Sequence, residues 1–213
     1  MALTVTEDEA LKVREWGNAE TFIVPNIHLS DSNSVPEFGV RSGILFIGSY
    51  LHIPNIDAAK WLVDEIMPLV WEKKPETQLF LLGSNPTSEI LQLRRSGVCV
   101  TGFVEDVKPY FDQAKVFVAP LRYGAGMKGK IGQSMSLGLP VVTTSIGAEG
   151  MNLKNGKHAF ISEDPEGIAQ NIAMLSSDEA KWNELSTAGM GHMEEYSPEI
   201  VSVKINEIVL GSL

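Results

Sequence analysis

Between Pro120 and Met135 the sequence reads PLRYGAGMKGKIGQSM, and its glycines and cations are the residue types that hold phosphate. Gly124, Gly126 and Gly129 fit the G-x-G-x-x-G pattern of dinucleotide sites, while Gly124, Gly129 and Lys130 fit all but the last position of G-x-x-x-x-G-K-[ST]. A glycine turn opening a helix offers backbone N–H groups and the positive end of a helix dipole to an anion. Arg122, Lys128 and Lys130 add cationic donors. Gln133, one helical turn further on, is placed to reach a ribose hydroxyl. A nucleoside diphosphate carrying a further group, with no metal required, fits this set best.

The two motif matches are weaker than they look. A phosphate loop ends in a hydroxyl that binds magnesium, and here Ile131 stands in that position, which speaks against ATP or GTP hydrolysis. A dinucleotide fingerprint wants an acid about twenty residues on to hold a ribose. Glu149 has the spacing but falls in an IGAEG loop beyond the next strand, where it reads as a turn-stabilising residue. A nicotinamide oxidoreductase stays as an alternative, as does a turn that merely packs a helix on a sheet. Charge favours an anion site over the latter: the 36 residues from Gln113 to Ala148 hold no Asp or Glu but carry Lys115, Arg122, Lys128 and Lys130.

The elements that must position these residues alternate between short apolar runs and longer amphipathic ones. Runs at 44–49, 78–83, 98–103, 116–121, 141–145 and 159–162 predict six strands. Ala59, Leu62, Val63, Ile66 and Val70 share one face of the first intervening helix, with Pro54-Asn55 at its start. Helices are further predicted over 88–96, from an Asp106 cap to Ala114, over 128–137 up to Gly138, and after an Asp164-Pro165 cap through Leu175. This rhythm predicts an α/β fold, a Rossmann-like doubly wound parallel sheet of about six strands with helices on both faces. Residues 1–40 contain a helix over 7–16, a strand over 21–25 and a polar linker, HLSDSNSVPEFGVRSG, too little for a domain. Two helices broken near Ser197-Pro198 follow Asp178.

Composition sets outer bounds. A chain of 213 residues, 44% hydrophobic, supports one sizeable core. The net charge of −10 opposes nucleic acid as a partner. There is no apolar run of membrane-spanning length and no basic-then-apolar leader at the start, so a cytoplasmic protein is expected. The single Cys99, between two valines, is expected to be a buried strand residue. The four histidines show no ligand spacing and no D-x-D pair occurs, so no metal site is expected. Trp61, Trp71 and Trp182 read as packing residues.

From about residue 20 to residue 198 the chain also resembles a known family. PLRYGAGMKGKIGQSMSLGLPVVTTSIGAEGM, preceded by FIGSYLHIPNIDAAKWLVDEIMPLV, LFLLGSNP and VTGFVEDVKPYFDQAKVFVAPLR, is similar to the C-terminal, nucleotide-sugar-binding domain of retaining glycosyltransferases of the GT-B fold, family four. VPNIHL resembles the linker between the two halves of such enzymes. The resemblance implies strand order 3-2-1-4-5-6 and a division into 1–40 (remnant of the N-terminal domain and linker), 41–197 (donor-binding domain) and 198–213 (C-terminal helix). It implies no cofactor, a nucleotide-sugar donor as partner, and an acceptor held by the N-terminal half, through which any peripheral membrane contact would run. Arg122 and Lys130 would stabilise the leaving diphosphate. Gly48, Gly83, Ser84, Phe103, Val104, Gly124, Ala125, Gly126, Met127, Lys128, Gly129 and Gln133 would complete the donor site, with Phe103-Val104 framing the base. The chain departs from the pattern where the family carries E-x7-E, with Ala125 and Gln133 at those positions, and where a basic pair follows the first strand, with Ser49 and Asn55. A non-catalytic nucleotide-binding module is the alternative these departures suggest.

Overall fold

A computed structural model describes residues 1–17, 19–29 and 35–211. Residues 30–34 of the expected linker and 212–213 of the expected C-terminal helix lie outside them. The chain opens with β1 (Ala2–Thr4), α1 (Glu7–Gly17) and β2 (Thr21–Ile23), in which β1 and β2 pair in parallel as a two-stranded sheet. The main unit continues with β3 (Ile44–Ile47), α2 (Ile53–Trp61), a π-helical turn at Leu62–Ile66, α3 (Met67–Lys73), β4 (Leu79–Leu82), α4 (Ser88–Gln92) and β5 (Val98–Gly102). Then come α5 (Lys108–Gln113), β6 (Val116–Ala119), α6 (Gly129–Ser136), β7 (Val141–Thr143), α7 (Ser145–Ala148) and β8 (Phe160–Ile161). Helices α8 (Pro165–Leu175), α9 (Glu179–Met193) and α10 (Pro198–Gly211) complete it.

The six-stranded sheet runs β5-β4-β3-β6-β7-β8, every pair parallel, which is 3-2-1-4-5-6 counted within the sheet. Parallel strands covered on both faces read as continuous apolar runs, and Ile44, Leu45 and Phe46 are all buried. Ile44, Phe46, Leu79, Leu81 and Val118 face a layer that includes Ala59, Leu62, Ile66, Val70, Ile168 and Ile172. Leu45, Leu82, Phe117 and Val141 face the opposite layer, with Phe111, Ile131 and Met135. The π-helical turn precedes Pro68, whose ring nitrogen donates no hydrogen bond, and it lets the helical run pass that residue with its apolar face still inward.

Several local expectations are corrected. Helix α2 starts at Ile53 with His52 as cap, and the Asn55 amide instead donates to Ser49 O at 2.9 Å. Helix α5 is capped by Val107; the Asp106 carboxylate accepts from Lys108 N at 2.9 Å, just ahead of it. Helix α4 ends at Gln92, four residues early, and Ser145 opens α7 instead of closing a strand. Cys99 is exposed, because β5 is the sheet edge and its burial alternates. Strand β1 has no counterpart in the sequence reading: three residues are too few for a period-two pattern to register.

Candidate functional site

In an open parallel sheet the crevice lies outside the carboxyl ends of the strands where the winding reverses. Here that point is between β3 and β6, and a cavity of about 380 Å³ opens there. Its walls are residues that follow β3, β4, β5 and β6: Gly48-Ser49, Gly83-Ser84, Phe103-Val104 and Leu121. Its remaining side is Lys128-Gly129-Lys130-Ile131, the start of α6. The volume is that of a small-ligand site.

The inner wall is built by close backbone approach. Gly48 N donates to Leu82 O (3.0 Å), Gly83 N to Gly102 O (3.1 Å) and Tyr50 N to Ser84 O (3.0 Å), so the strands stay in register past their formal ends. A β-carbon on Gly83 would lie 1.8 Å from Gly48 O, so no other residue fits there. Ser49 and Ser84 face one another across this wall, Oγ to Oγ at 3.3 Å. Ser49 and Asn55, which stand where the resembled family carries a basic pair, both line the cavity.

The glycine turn is set by left-handed backbone at Gly124 (φ 132°) and Gly126 (φ 78°). It delivers the chain to α6, whose cap residue, Lys128, makes no side-chain cap bond. An uncapped helix start leaves amide donors for a ligand. The two lysines differ in how far they are neutralised. Lys128 Nζ turns back to Gly126 O and lies 3.3 Å from Glu149 Oε2. Lys130 Nζ donates to Gln133 Oε1 at 2.8 Å, a neutral acceptor, and among the described residues it has no carboxylate partner. Loss of water around it holds the Lys130 ammonium below the ordinary lysine value.

The structure therefore brings Gly48, Gly83, Ser84, Phe103, Val104, Lys128, Gly129 and Lys130 together on one cavity. Phe103 is 75% exposed at its rim, so it is not a core residue. Ala125 is exposed on the glycine turn, and Gly126 and Met127 are half-buried between that turn and the cavity. Gln133 faces a neighbouring groove with Ile27, His28 and Leu29 of the linker. Arg122 goes elsewhere: it pairs with Asp57, lies over the Trp61 ring at 5.1 Å, and lines a separate groove with Lys60 and Tyr123. Among the described residues no three His, Cys, Asp or Glu side chains come together as a set of metal ligands.

Comparison with known proteins places the chain in a family. A family model described as glycosyl transferases group 1 matches residues 41–178, most of the chain and the whole of the cavity. The chain belongs to the group 1 glycosyl transferases. A curated relative of the chain, "Uncharacterized 44.6 kDa protein in cps region" of Klebsiella pneumoniae, is 26% identical over 161 residues, 71% of this chain and 42% of that one. Among solved structures, a TarM variant of S. aureus in complex with fondaparinux, alpha-GlcNAc-glycerol and UDP superposes with a TM-score of 0.79 at 18% identity, covering 96% of this chain and 43% of that one. The pneumococcal O-GlcNAc transferase GtfA in complex with UDP and GlcNAc gives 0.78 at 13%, covering 98% and 44%. WaaG, a glycosyltransferase involved in lipopolysaccharide biosynthesis, gives 0.72 at 15%, covering 98% and 62%. At these identities the structural likeness is one of fold. This chain spans less than half the length of the curated relative, of TarM and of GtfA.

Among the described residues no helix is long and apolar enough to cross a membrane.

Proposed function

We propose that this chain is the donor-binding part of a retaining, metal-independent glycosyltransferase that takes a sugar from a nucleoside diphosphate sugar. The observation that carries the reading is the pairing of an uncapped helix start with a Lys130 ammonium that lacks a counter-charge, both on one ligand-sized cavity. An anion is the missing partner of that arrangement, and a diphosphate supplies the charge density it asks for. When the bond between the anomeric carbon and the diphosphate oxygen breaks, negative charge grows on the leaving oxygen. Lys130 and the α6 amides face that charge and stabilise it electrostatically, the work a divalent cation does elsewhere, without a cofactor. Gly83-Ser84 and Phe103-Val104, on the far walls, would take the nucleoside.

The division at residues 1–40, 41–197 and 198–213 belongs to the same proposal. The short β1-α1-β2 unit reads as the last piece of an N-terminal half that binds the acceptor and makes any membrane contact. UDP, present in the TarM and GtfA structures, is the first nucleotide to try, and the net charge of −10 argues against nucleic acid as a partner. Titration calorimetry of the chain against UDP, GDP, NAD and magnesium-ATP tests the reading. A nucleoside diphosphate is expected to bind tightest, in the presence of a chelator as well as without one. Tightest binding of NAD, or binding that needs magnesium, overturns it.

A further inference from the structure

The glycine turn that leads into the cavity is flanked by a segment that is not part of the six-stranded unit. A β-carbon on Gly150 would lie 2.4 Å from Thr6 Cγ2, and one on Gly126 would lie 3.4 Å from Glu9 Oε1. Residues 5–9 are thus seated against both the glycine turn and the loop after α7. Within that seat the Glu9 side chain is fixed. Thr6 Oγ1 accepts from Glu9 N at 3.2 Å, and Glu9 Oε2 accepts from Val5 N at 2.9 Å, a reciprocal cap of the T-x-x-E kind at the start of α1. The cap uses Oε2. Oε1 faces the backbone of Gly126.

A group carried on the diphosphate beyond Lys130 would pass over the glycine turn. If that group is a sugar, its hydroxyls call for acceptors, and the chain from 113 to 148 has no carboxylate to offer. Glu149, at the end of that stretch, is engaged with Lys128. Glu9 is a carboxylate already held against the turn, with an oxygen its cap does not use. We propose that Glu9 accepts hydrogen bonds from the sugar hydroxyls of the donor and sets which sugar is taken, an inference that rests on the donor-binding function proposed above. A carboxylate fixed before the ligand arrives pays no ordering entropy on binding, which suits a residue that discriminates between hydroxyl configurations.

The test compares each sugar donor with its own nucleotide. The 213-residue chain is titrated with UDP, UDP-glucose, UDP-N-acetylglucosamine, GDP and GDP-mannose, and the ratio of sugar-donor affinity to free-nucleotide affinity is read for wild type, Glu9→Ala and Glu9→Gln. Wild type is expected to favour one sugar donor over its nucleotide. Glu9→Ala is expected to cut that ratio roughly tenfold, the loss of a charge-assisted hydrogen bond. Glu9→Gln keeps an oxygen for Val5 N, so the fold is preserved, and it is expected to cut the ratio by a smaller factor. A ratio that survives both substitutions overturns the inference, as does a fall in both affinities by the same factor, the mark of a purely structural cap. A wild type that binds nucleotides but favours no sugar donor overturns it too, while leaving the wider function standing. A wild type that binds neither UDP nor GDP removes both.

Discussion

The guanidinium of Arg122 grips the Asp57 carboxylate at two points, Nε to Oδ2 at 2.9 Å and Nη2 to Oδ1 at 2.5 Å. That pairing ties the loop after β6 to the first turns of α2, with Trp61 beneath the guanidinium. The Asp57 contact raises the Arg122 pKa, so the charge is committed there. Arg122 thereby braces the structure beside the cavity, and its removal is expected to act mainly on stability. The pair is partly exposed, so Arg122→Ala should cost only ~1 kcal/mol, the sum of a screened ion pair and a cation–π contact. Urea denaturation measures this directly. UDP affinity should fall by a smaller factor than in the Lys130 variant; an equal or larger fall would return Arg122 to the diphosphate.

Under the proposed function Lys130 is the cation that meets the diphosphate. Lys130→Ala is expected to weaken UDP binding roughly ten- to a hundredfold, the range for losing one charged hydrogen bond in a partly dehydrated site. The same variant should unfold near the wild-type midpoint, because the Lys130 ammonium donates to the neighbouring Gln133 amide and among the described residues forms no ion pair. Gln133→Ala separates the two: it frees the ammonium, and if Lys130 alone carries the diphosphate, UDP affinity drops far less than in Lys130→Ala. Calorimetry with free UDP decides between these outcomes.

How far this architecture was legible can be judged residue by residue. Ile44–Phe46, Leu79–Leu82 and Val116–Ala119 announce a two-sided parallel sheet, because charge is excluded from strands with no open face. The strands then carry Gly48, Gly83 and the α6 start to one edge, so the cavity followed from element order and punctuation. The Arg122–Asp57 pairing was not legible, for a different reason. Proximity in sequence to Lys128 and Lys130 says nothing about Asp57, 65 residues earlier, and such long-range partners become visible only when the helix layer is assembled. Glu9 was invisible on the same ground, although its T-x-x-E signature marks the start of α1. Arg41 is a third case: an ordinary cation in the sequence, it is buried and donates to Pro36, Phe111 and Ala114 carbonyls.

The linker is locked to the donor helix through a shape fit that can be tested sterically. His28 Nε2 occupies the place a side chain at Gly132 would need, 2.4 Å from the position of its β-carbon, and His28 N is tied to Tyr196 O at 2.9 Å. Gly132→Ala must therefore push the imidazole and the linker outward. Overpacking of this kind costs about 1–3 kcal/mol. The double variant with His28→Ala vacates the space, so the two changes should be strongly non-additive, with the double more stable than the sum of the singles implies. Additive losses in chemical denaturation would show that the contact is looser than described.

His158, with His28, gives the fold a pH dependence of definite sign. The His158 and His192 rings stack at 4.3 Å with 14° between their planes. His158 Nδ1 accepts from Lys154 N at 3.3 Å, and His192 Nε2 lies 2.7 Å from Met151 O. Those contacts suit a neutral His158, and burial, followed by the charges of His192, Lys157 and Lys154, depresses its pKa, with Glu195 opposing. Burial alone depresses that of His28. With folded values below the ordinary 6.5, the unfolded chain binds more protons in the window between them, so stability rises with pH there. Stability is complete above 6.5 and is lost as pH falls through the folded values. The urea midpoint at pH 7.5 should exceed that at pH 5.5, a range in which most carboxylates stay ionised. His158→Gln, which keeps a polar side chain in place but cannot titrate, should flatten that slope; an unchanged slope would assign the pH dependence to other groups.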